Sequence, residues 1–392
     1  MGKNIVGFLL TFIVLLCGLP TRAYAAEDET SIGIEAPHAV LMEASTGTIL
    51  YEKDAHIAVP PASVTKIMTM LLIFEALEEN KIKLEDMVTV SEKAASMGGS
   101  QVFLEPNEQQ TVDTMLKCIA VASANDACVA MAEFVSGSED AFVNKMNERA
   151  KELGMKNTMF KNCNGLDEEG HVISAYDVAV MSRELLTNHP QVHDYCTIWM
   201  DTIVHHTAKG SQEFGLSNTN KLIRQYEYST GLKTGSTSEA GFCVSATAKK
   251  GDMELIAVIM NGETSKSRFL DATTLLNYGY ANYQIYLDTD AQRENLNTMT
   301  VKSGVEAEVP LKYEKDFAFL LMNGESLTSI EKRLRLPEEL QAPVEINQTV
   351  GTLEYYHGDK KLGEINVIAE KSVEKAQYSD YVKRVWLPSG CR

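Results

Sequence analysis

One stretch restricts the possible folds more than any other: Pro60–Leu77, PPASVTKIMTMLLIFEAL. Pro60 and Pro61 stop a helix running in from upstream, because proline has no N–H to continue it. Beyond Lys66 the run is apolar nearly all round, with Ile67, Met68, Met70, Leu71, Leu72, Ile73, Phe74 and Leu77. A helix without a polar face belongs in the middle of a domain, and this one is shorter than the ~20 apolar residues that cross a bilayer. Ser63 and Lys66 stand three apart at its start, on one face and one turn apart. A hydroxyl and an amine held that way suit a nucleophile and its base. The same S-x-x-K spacing recurs at Ser329/Lys332 and Ser372/Lys375, so the spacing alone decides nothing. An ordinary helix cap followed by a snorkelling lysine would explain it too.

The length, 392 residues, predicts two folded units. Residues 1–26 read differently from the rest. Lys3 gives a positive start, Ile5–Leu19 is apolar, and Ala23-Tyr24-Ala25 is a small-x-small cleavage pattern. This is the composition of a secretory signal peptide cut after Ala25 or Ala26. Losing Lys3 and Arg22, and no acid, takes the formal charge of −18 two units further negative. So acidic a chain repels nucleic acid, and no nucleic-acid partner is expected. Cys118, Cys128, Cys163, Cys196, Cys243 and Cys391 are scattered, with no C-x-x-C spacing. No metal, organic cofactor or disulfide is assigned.

In chain order, Ala39–Glu43 and Thr48–Tyr51 around Ser45-Thr46-Gly47 predict a β-hairpin. After the central helix, Gly98-Gly99-Ser100 reads as a flexible loop. Helices are predicted from Thr111, from Asp126 to Val135 with Asn125 as cap, over Glu139–Leu153 and over Ser174–Leu186. Residues 188–228 carry no clear period. Strands follow at Gly231–Thr237, Gly241–Ala248 and Met253–Met260, then a helix at Ser265–Tyr280. Strands at both ends of a helical middle predict one sheet in an α/β domain spanning 27–287. Over 288–370, short strands at Thr298–Val301, Glu306–Leu311, Ala318–Leu321, Val344–Asn347, Thr349–Tyr356 and Lys361–Ile368 predict a small all-β domain. In the tail, 371–392, Tyr378, Tyr381, Val382, Val385 and Trp386 recur at helical spacing among basic residues. Such a stripe suits peripheral membrane contact, or docking on the protein itself.

Three features line up in order: Ser63-Val64-Thr65-Lys66, Ser123-Ala124-Asn125 and Lys233-Thr234-Gly235. Any one is common, but the three in this order, at a helix start, a loop and a strand, are not. Together with Asn164-Gly165-Leu166, His171, Asp177 and Gly231-Leu232, they make the chain resemble the low-molecular-weight penicillin-binding proteins, the serine D-alanyl-D-alanine carboxypeptidases. Asn218–Leu222 and Thr237–Gly241 look most like the sporulation-associated members. The resemblance implies a penicillin-binding, β-lactamase-like catalytic fold, an antiparallel sheet flanked by helices, with the β-domain behind it. It implies a wall stem peptide ending in D-Ala-D-Ala as substrate and β-lactams as inhibitors.

By this resemblance Ser63 is the nucleophile, Lys66 its base and Ser123 a proton carrier to the leaving amine. Asn125 holds the substrate amide. Lys233, Thr234 and Thr237 receive the terminal carboxylate, and the N–H groups of Ser63 and Ser236 bind the oxyanion. Gly235 lets substrate lie along the strand edge. Thr219 stands where some members have arginine. Arg268 is either a replacement charge or an exposed helical residue, and the second is preferred. His171 and Asp177 read as loop and helix-cap structure. Two rivals are weaker: a β-lactamase, because the nearest water-holding glutamate, Glu184 in Glu184-Leu185-Leu186-Thr187-Asn188, lacks the E-x-x-L-N spacing, and a non-catalytic wall-binding protein, which has no use for Ser63, Lys66, Ser123 and Lys233 together.

Overall fold

The apolar stretch forms the central helix of the protein. The computed structural model describes residues 32–207, 210–289, 293, 296–325 and 329–380, so residues 1–26, expected to be a signal peptide, and most of the expected tail lie outside the described residues. The chain enters through a hairpin of β1 (His38–Glu43) and β2 (Ile49–Lys53), and a 3-10 turn, Ala62–Thr65, runs directly into α1 (Lys66–Glu78). A ribbon of β3 (Met87–Thr89) and, beyond the short α2 (Glu92–Ala95), β4 (Gln109–Thr111) precedes α3 (Val112–Val121), α4 (Asn125–Ser136), α5 (Glu139–Glu152) and α6 (Ala175–Asn188). The unreadable stretch proves to hold α7 (Val192–Cys196), a hairpin of β5 (Met200–Thr207) and β6 (Gly210–Ser217), and α8 (Leu222–Gln225). Then come β7 (Ser229–Thr237), β8 (Gly241–Lys250), β9 (Met253–Gly262) and α9 (Ser265–Asn282).

The main sheet runs β2-β1-β9-β8-β7, antiparallel throughout. The first strand is thus stitched between β2 and the much later β9, with Val40 opposite Val258. Strand alternation divides the sheet's side chains. Val40, Met42, Ile256, Val258 and Met260 join the core that contains α1, whereas Leu41 and Leu255 lie outside that core, under α9. In α1, Ile67, Met68, Met70, Leu71 and Ile73 are all at most 1% exposed. At about 1.5–3 kcal/mol for each large apolar side chain buried, this helix anchors the domain and fixes where its first residues point.

The remainder is all β: β10 (Tyr283–Asp288), β11 (Met299–Lys302), β12 (Glu308–Val309), β13 (Leu311–Tyr313), β14 (Phe317–Met322), β15 (Ile330–Arg335), β16 (Leu340–Gln341), β17 (Thr349–His357) and β18 (Lys360–Ala369). Its largest sheet is β13-β18-β17-β15, and β10 pairs with β14. The change of architecture therefore comes at Asn282/Tyr283, a few residues before the expected boundary, because β10 already belongs to the β part. Val344–Asn347 forms only an isolated bridge, Val344 to Val373, rather than a strand. Two small apolar clusters hold this part, one around Val309, Val344 and Val367 and the other around Phe317, Tyr355 and Ile365. Among the described residues, no helix is long and apolar enough to cross a membrane.

Candidate active site

The nucleophile candidate sits in the 3-10 turn just before α1. Ala62, at its start, has φ +49, a conformation unusual for a residue with a side chain. Two glycines explain how the turn is held. A Cβ on Gly165 (φ +90) would lie 1.9 Å from the Ala62 carbonyl oxygen, and one on Gly235 would lie 2.8 Å from the Ser63 nitrogen. The turn is clamped between the 162–171 loop and β7. The structure gives Gly235 a reason of its own: its missing side chain makes room for the Ser63 backbone.

Lys66 is fully buried. Its Nζ lies 3.0 Å from Ser63 Oγ, 2.7 Å from Asn125 Oδ1 and 2.6 Å from the Asn164 carbonyl oxygen. Burial pushes its pKa down, while nearby groups including the Asp126 carboxylate push the other way. Lys233, also buried, is lowered to about 7, by burial first and then by the Lys66 charge. Its Nζ donates to the Thr234 carbonyl at 3.1 Å. Ser123 has φ +60, and its Oγ is buried without a hydrogen-bond partner among the described residues.

Several expectations change. Asn125 does not cap α4: it is the first residue of that helix, after Ala124, and no side-chain cap bond forms. Its amide is committed at both ends in this structure, Oδ1 to Lys66 and Nδ2 to the Gly98 carbonyl at 2.8 Å, so it positions the lysine. Thr234 Oγ1 lies 2.7 Å from Thr219 Oγ1, and Thr237 Oγ1 donates to Asp167 Oδ1 at 2.6 Å. Arg268 is buried, contrary to the exposed reading. It donates to the Gly235 carbonyl at 2.8 Å and the Cys243 carbonyl at 3.1 Å, tying α9 to the edge strand.

His171 and Asp177 are structural, as expected. Asp177 accepts from the Asn157 N–H and the Thr158 hydroxyl, and its own N–H is capped by Ser174. His171 Nδ1 accepts from the Lys161 N–H, so Nε2 carries the proton and faces Thr65 Oγ1 at 2.9 Å. Burial lowers its pKa to about 4. Glu184 is bound to Arg149 at 2.6 Å, within a Glu75–Arg149–Glu184 ion network. Cys118, Cys128, Cys163, Cys196 and Cys243 are buried free thiols.

Sequence reasoning gave no role to four features. Asn164 supplies the carbonyl that holds Lys66, and Gly165 wedges the turn; the Asn-Gly pair was the available signal. Asp167 reaches Thr237. Asp126, fully buried, accepts the N–H groups of Val102 and Leu104, each at 3.1 Å. The 98–104 segment is accordingly fastened to α4, not the free loop its glycines suggested.

Ser63 in the turn and Lys66 at the head of the buried helix thus face each other beside the K-T-G edge strand. The D-alanyl-D-alanine carboxypeptidase family model matches residues 23–264, more than half the chain. The chain belongs to the D-alanyl-D-alanine carboxypeptidase family. The model of the penicillin-binding protein 5 C-terminal domain matches residues 291–375 of this carboxypeptidase-family chain. It is 43% identical to the carboxypeptidase DacF of Bacillus subtilis over 97% of both chains, and 32% identical to DacC of Escherichia coli over 94% of this chain and 90% of that one. Penicillin-binding protein 5 of Haemophilus influenzae superposes with a TM-score of 0.69 at 30% identity, covering 87% of this chain and 98% of that one. Ampicillin-bound penicillin-binding protein D2 of Listeria monocytogenes superposes with a TM-score of 0.55 at 29% identity, covering 63% and 98%.

Proposed function

We propose that this protein is a serine carboxypeptidase that removes the terminal D-alanine from the D-Ala-D-Ala stem peptide of peptidoglycan, through an acyl-enzyme on Ser63 that β-lactams also form. The observation that carries this reading is the set of three contacts around Lys66. A neutral amine has two N–H donors and one lone pair. Asn125 Oδ1 and the Asn164 carbonyl take the two donors, and the lone pair is left facing the Ser63 hydroxyl at 3.0 Å. That is the geometry of a general base poised on its nucleophile. Burial favours the neutral form this requires.

In the reaction, Ser63 Oγ bonds to the carbonyl carbon of the penultimate D-alanine and its proton passes to Lys66 Nζ. The oxyanion is held by the N–H groups of Ser63 and Ser236; losing one such donor typically costs ~10²–10³ in rate. Ser123 relays the proton now held by Lys66 to the departing D-alanine amine, giving up its own hydroxyl proton and taking the lysine's, so that Lys66 returns to its neutral form. Lys233, protonated, with Thr234 and Thr237, receives the terminal carboxylate. Water then cleaves the acyl-enzyme. Residues 27–282 are the catalytic unit on this reading and the β part supports it. The segment 1–26 directs export to the wall, and the aromatic-basic segment touches the membrane; because Val373 and Lys375 pair with Val344 and Gly304 of the β part, that segment starts after Ala376 rather than at Lys371. The β-lactamase alternative loses its water-holding group, because Glu184 is bound to Arg149.

Purified protein should release D-alanine from a stem pentapeptide, and Ser63→Ala should abolish release. Mass spectrometry after benzylpenicillin should find one acyl adduct on the Ser63 peptide. No release combined with rapid penicillin turnover would overturn the assignment. Identical membrane fractionation of the full chain and one ending at Gln377, which keeps the Val344–Val373 and Gly304–Lys375 bridges, would remove the tail's role.

A further inference from the structure

Phe103 is bulky, has φ +63 and is 61% exposed. Backbone strain of this kind in a large residue costs energy and persists only where its surroundings impose it. Asp126 imposes it. By taking the N–H groups on either side, Val102 and Leu104, the buried carboxylate turns both neighbours inward and leaves the Phe103 ring outside. Phe103 meets Phe214 of β6 edge-on, with ring centroids 5.9 Å apart. The two rings flank a cavity of about 540 Å³ whose walls also include Glu105, His205, Ser211 and Gln212.

The cavity wall holds an unused polar atom. His205 is 8% exposed, and its Nδ1 lies 2.8 Å from Glu108 Oε1, so Nδ1–H is given to that carboxylate. Nε2 is buried without a partner among the described residues, and the Phe214 ring stands edge-on to the imidazole at 5.6 Å. A buried nitrogen without a partner is a cost unless something completes it. Both walls of the cavity lead to the catalytic centre. The Phe103 segment holds Asn125 through the Gly98 and Ser100 carbonyls, and β6 runs on to Thr219, which touches Thr234.

We propose that this cavity is a saccharide subsite, which holds the sugar to which the stem peptide is attached while the peptide occupies the Ser63 site. The inference rests on the carboxypeptidase reading for its substrate. A pyranose has an apolar C–H face and a rim of hydroxyls. Phe103 and Phe214 fit the face. Ser211, Gln212 and, once the Phe214 ring rotates aside, His205 Nε2 fit the hydroxyls. The strained Phe103 is preorganised for that contact.

Two measurements separate this proposal from the reading beneath it. The first is D-alanine release from one pentapeptide, free or carried on its N-acetylated hexosamine disaccharide. The second is calorimetric titration of the disaccharide alone. The sugar-borne substrate should have a kcat/KM about tenfold higher, equivalent to ~1.4 kcal/mol. Phe103→Ala should remove that advantage and weaken disaccharide binding, while leaving release from free peptide within about twofold. Phe214→Ala should do the same. Equal kcat/KM for the two substrates with no disaccharide binding would overturn the subsite, as would a Phe103→Ala loss equal for both. Disaccharide binding that Phe103→Ala weakens, without release from either substrate, would uphold the subsite and overturn the carboxypeptidase reading.

Discussion

At the scale of single residues, the site is a pair of buried lysines with unequal tasks. On the proposed mechanism Lys66 is neutral when it accepts the Ser63 proton, so benzylpenicillin acylation should rise with pH through its lowered pKa. On the same mechanism Lys233 is charged when it receives the carboxylate, and burial and the Lys66 charge lower its pKa to about 7. Binding of the D-Ala-D-Ala carboxylate should accordingly weaken above pH 7, seen as a rising KM in stopped assays from pH 6 to 9. His171 titrates in the opposite stability sense from a salt-bridged histidine. Its proton binds at about 4 in the folded protein and near 6.5 in the unfolded chain, so the unfolded state holds more protons between those values. Stability should fall by roughly 3 kcal/mol as pH drops from about 6.5 to about 4. Urea titrations at pH 7 and 4 read this directly, and His171→Gln should lack that part of the loss. Ser63, Lys66 and Lys233 were legible because each sits in a short motif whose chemistry is local. The double use of Asn125 was not, since nothing in Ser-Ala-Asn announces Gly98 as a partner of its amide.

At the scale of elements, legibility followed the hydrophobic period. The β1–β2 hairpin, α1, α3 and the β8–β9 pair carry strong local patterns and fall where the sequence puts them, within a residue or two. Residues 188–228 gave no signal because β5 and β6 form a two-stranded ribbon of mostly exposed and intermediate residues, so no alternation marks an inward face. β15 escaped for a related reason. It is an edge strand carrying Glu331, Lys332, Arg333 and Arg335, the charged composition that protects an edge from pairing. The two glycines that clamp the turn give a prediction of unequal damage. Gly165→Ala meets a carbonyl oxygen at 1.9 Å with φ +90, and should destabilise by roughly 2–4 kcal/mol in thermal melts. Gly235→Ala meets the Ser63 nitrogen at 2.8 Å. Displacing the turn by a fraction of that should slow penicillin acylation by about 10² while the melting temperature changes less.

At the scale of the whole molecule, the α/β and all-β parts differ in how they spend polar groups. In the β part, Asp288 is 2% exposed and accepts from Lys332 and Tyr355, each at 2.7 Å, and from Arg293 at 3.1 Å. Burial alone would raise its pKa, but these donors outweigh that and hold it down. Asp288→Asn should cost about 3 kcal/mol in urea unfolding, with acylation per folded molecule unchanged, because among the described residues none of Ser63, Lys66, Ser123 and Lys233 bonds to this network. The turn between Gly165 and Gly235 has a consequence of another kind. Ser63 and Lys66 are neighbours in sequence, yet their alignment depends on backbone from segments more than a hundred residues further along the chain. A nascent or half-folded chain therefore carries both groups and has no reactive pair. Covalent labelling by a β-lactam thus reports completed assembly: during refolding it should lag behind helix formation and arrive only with docking of β7, the last of these segments to be synthesised.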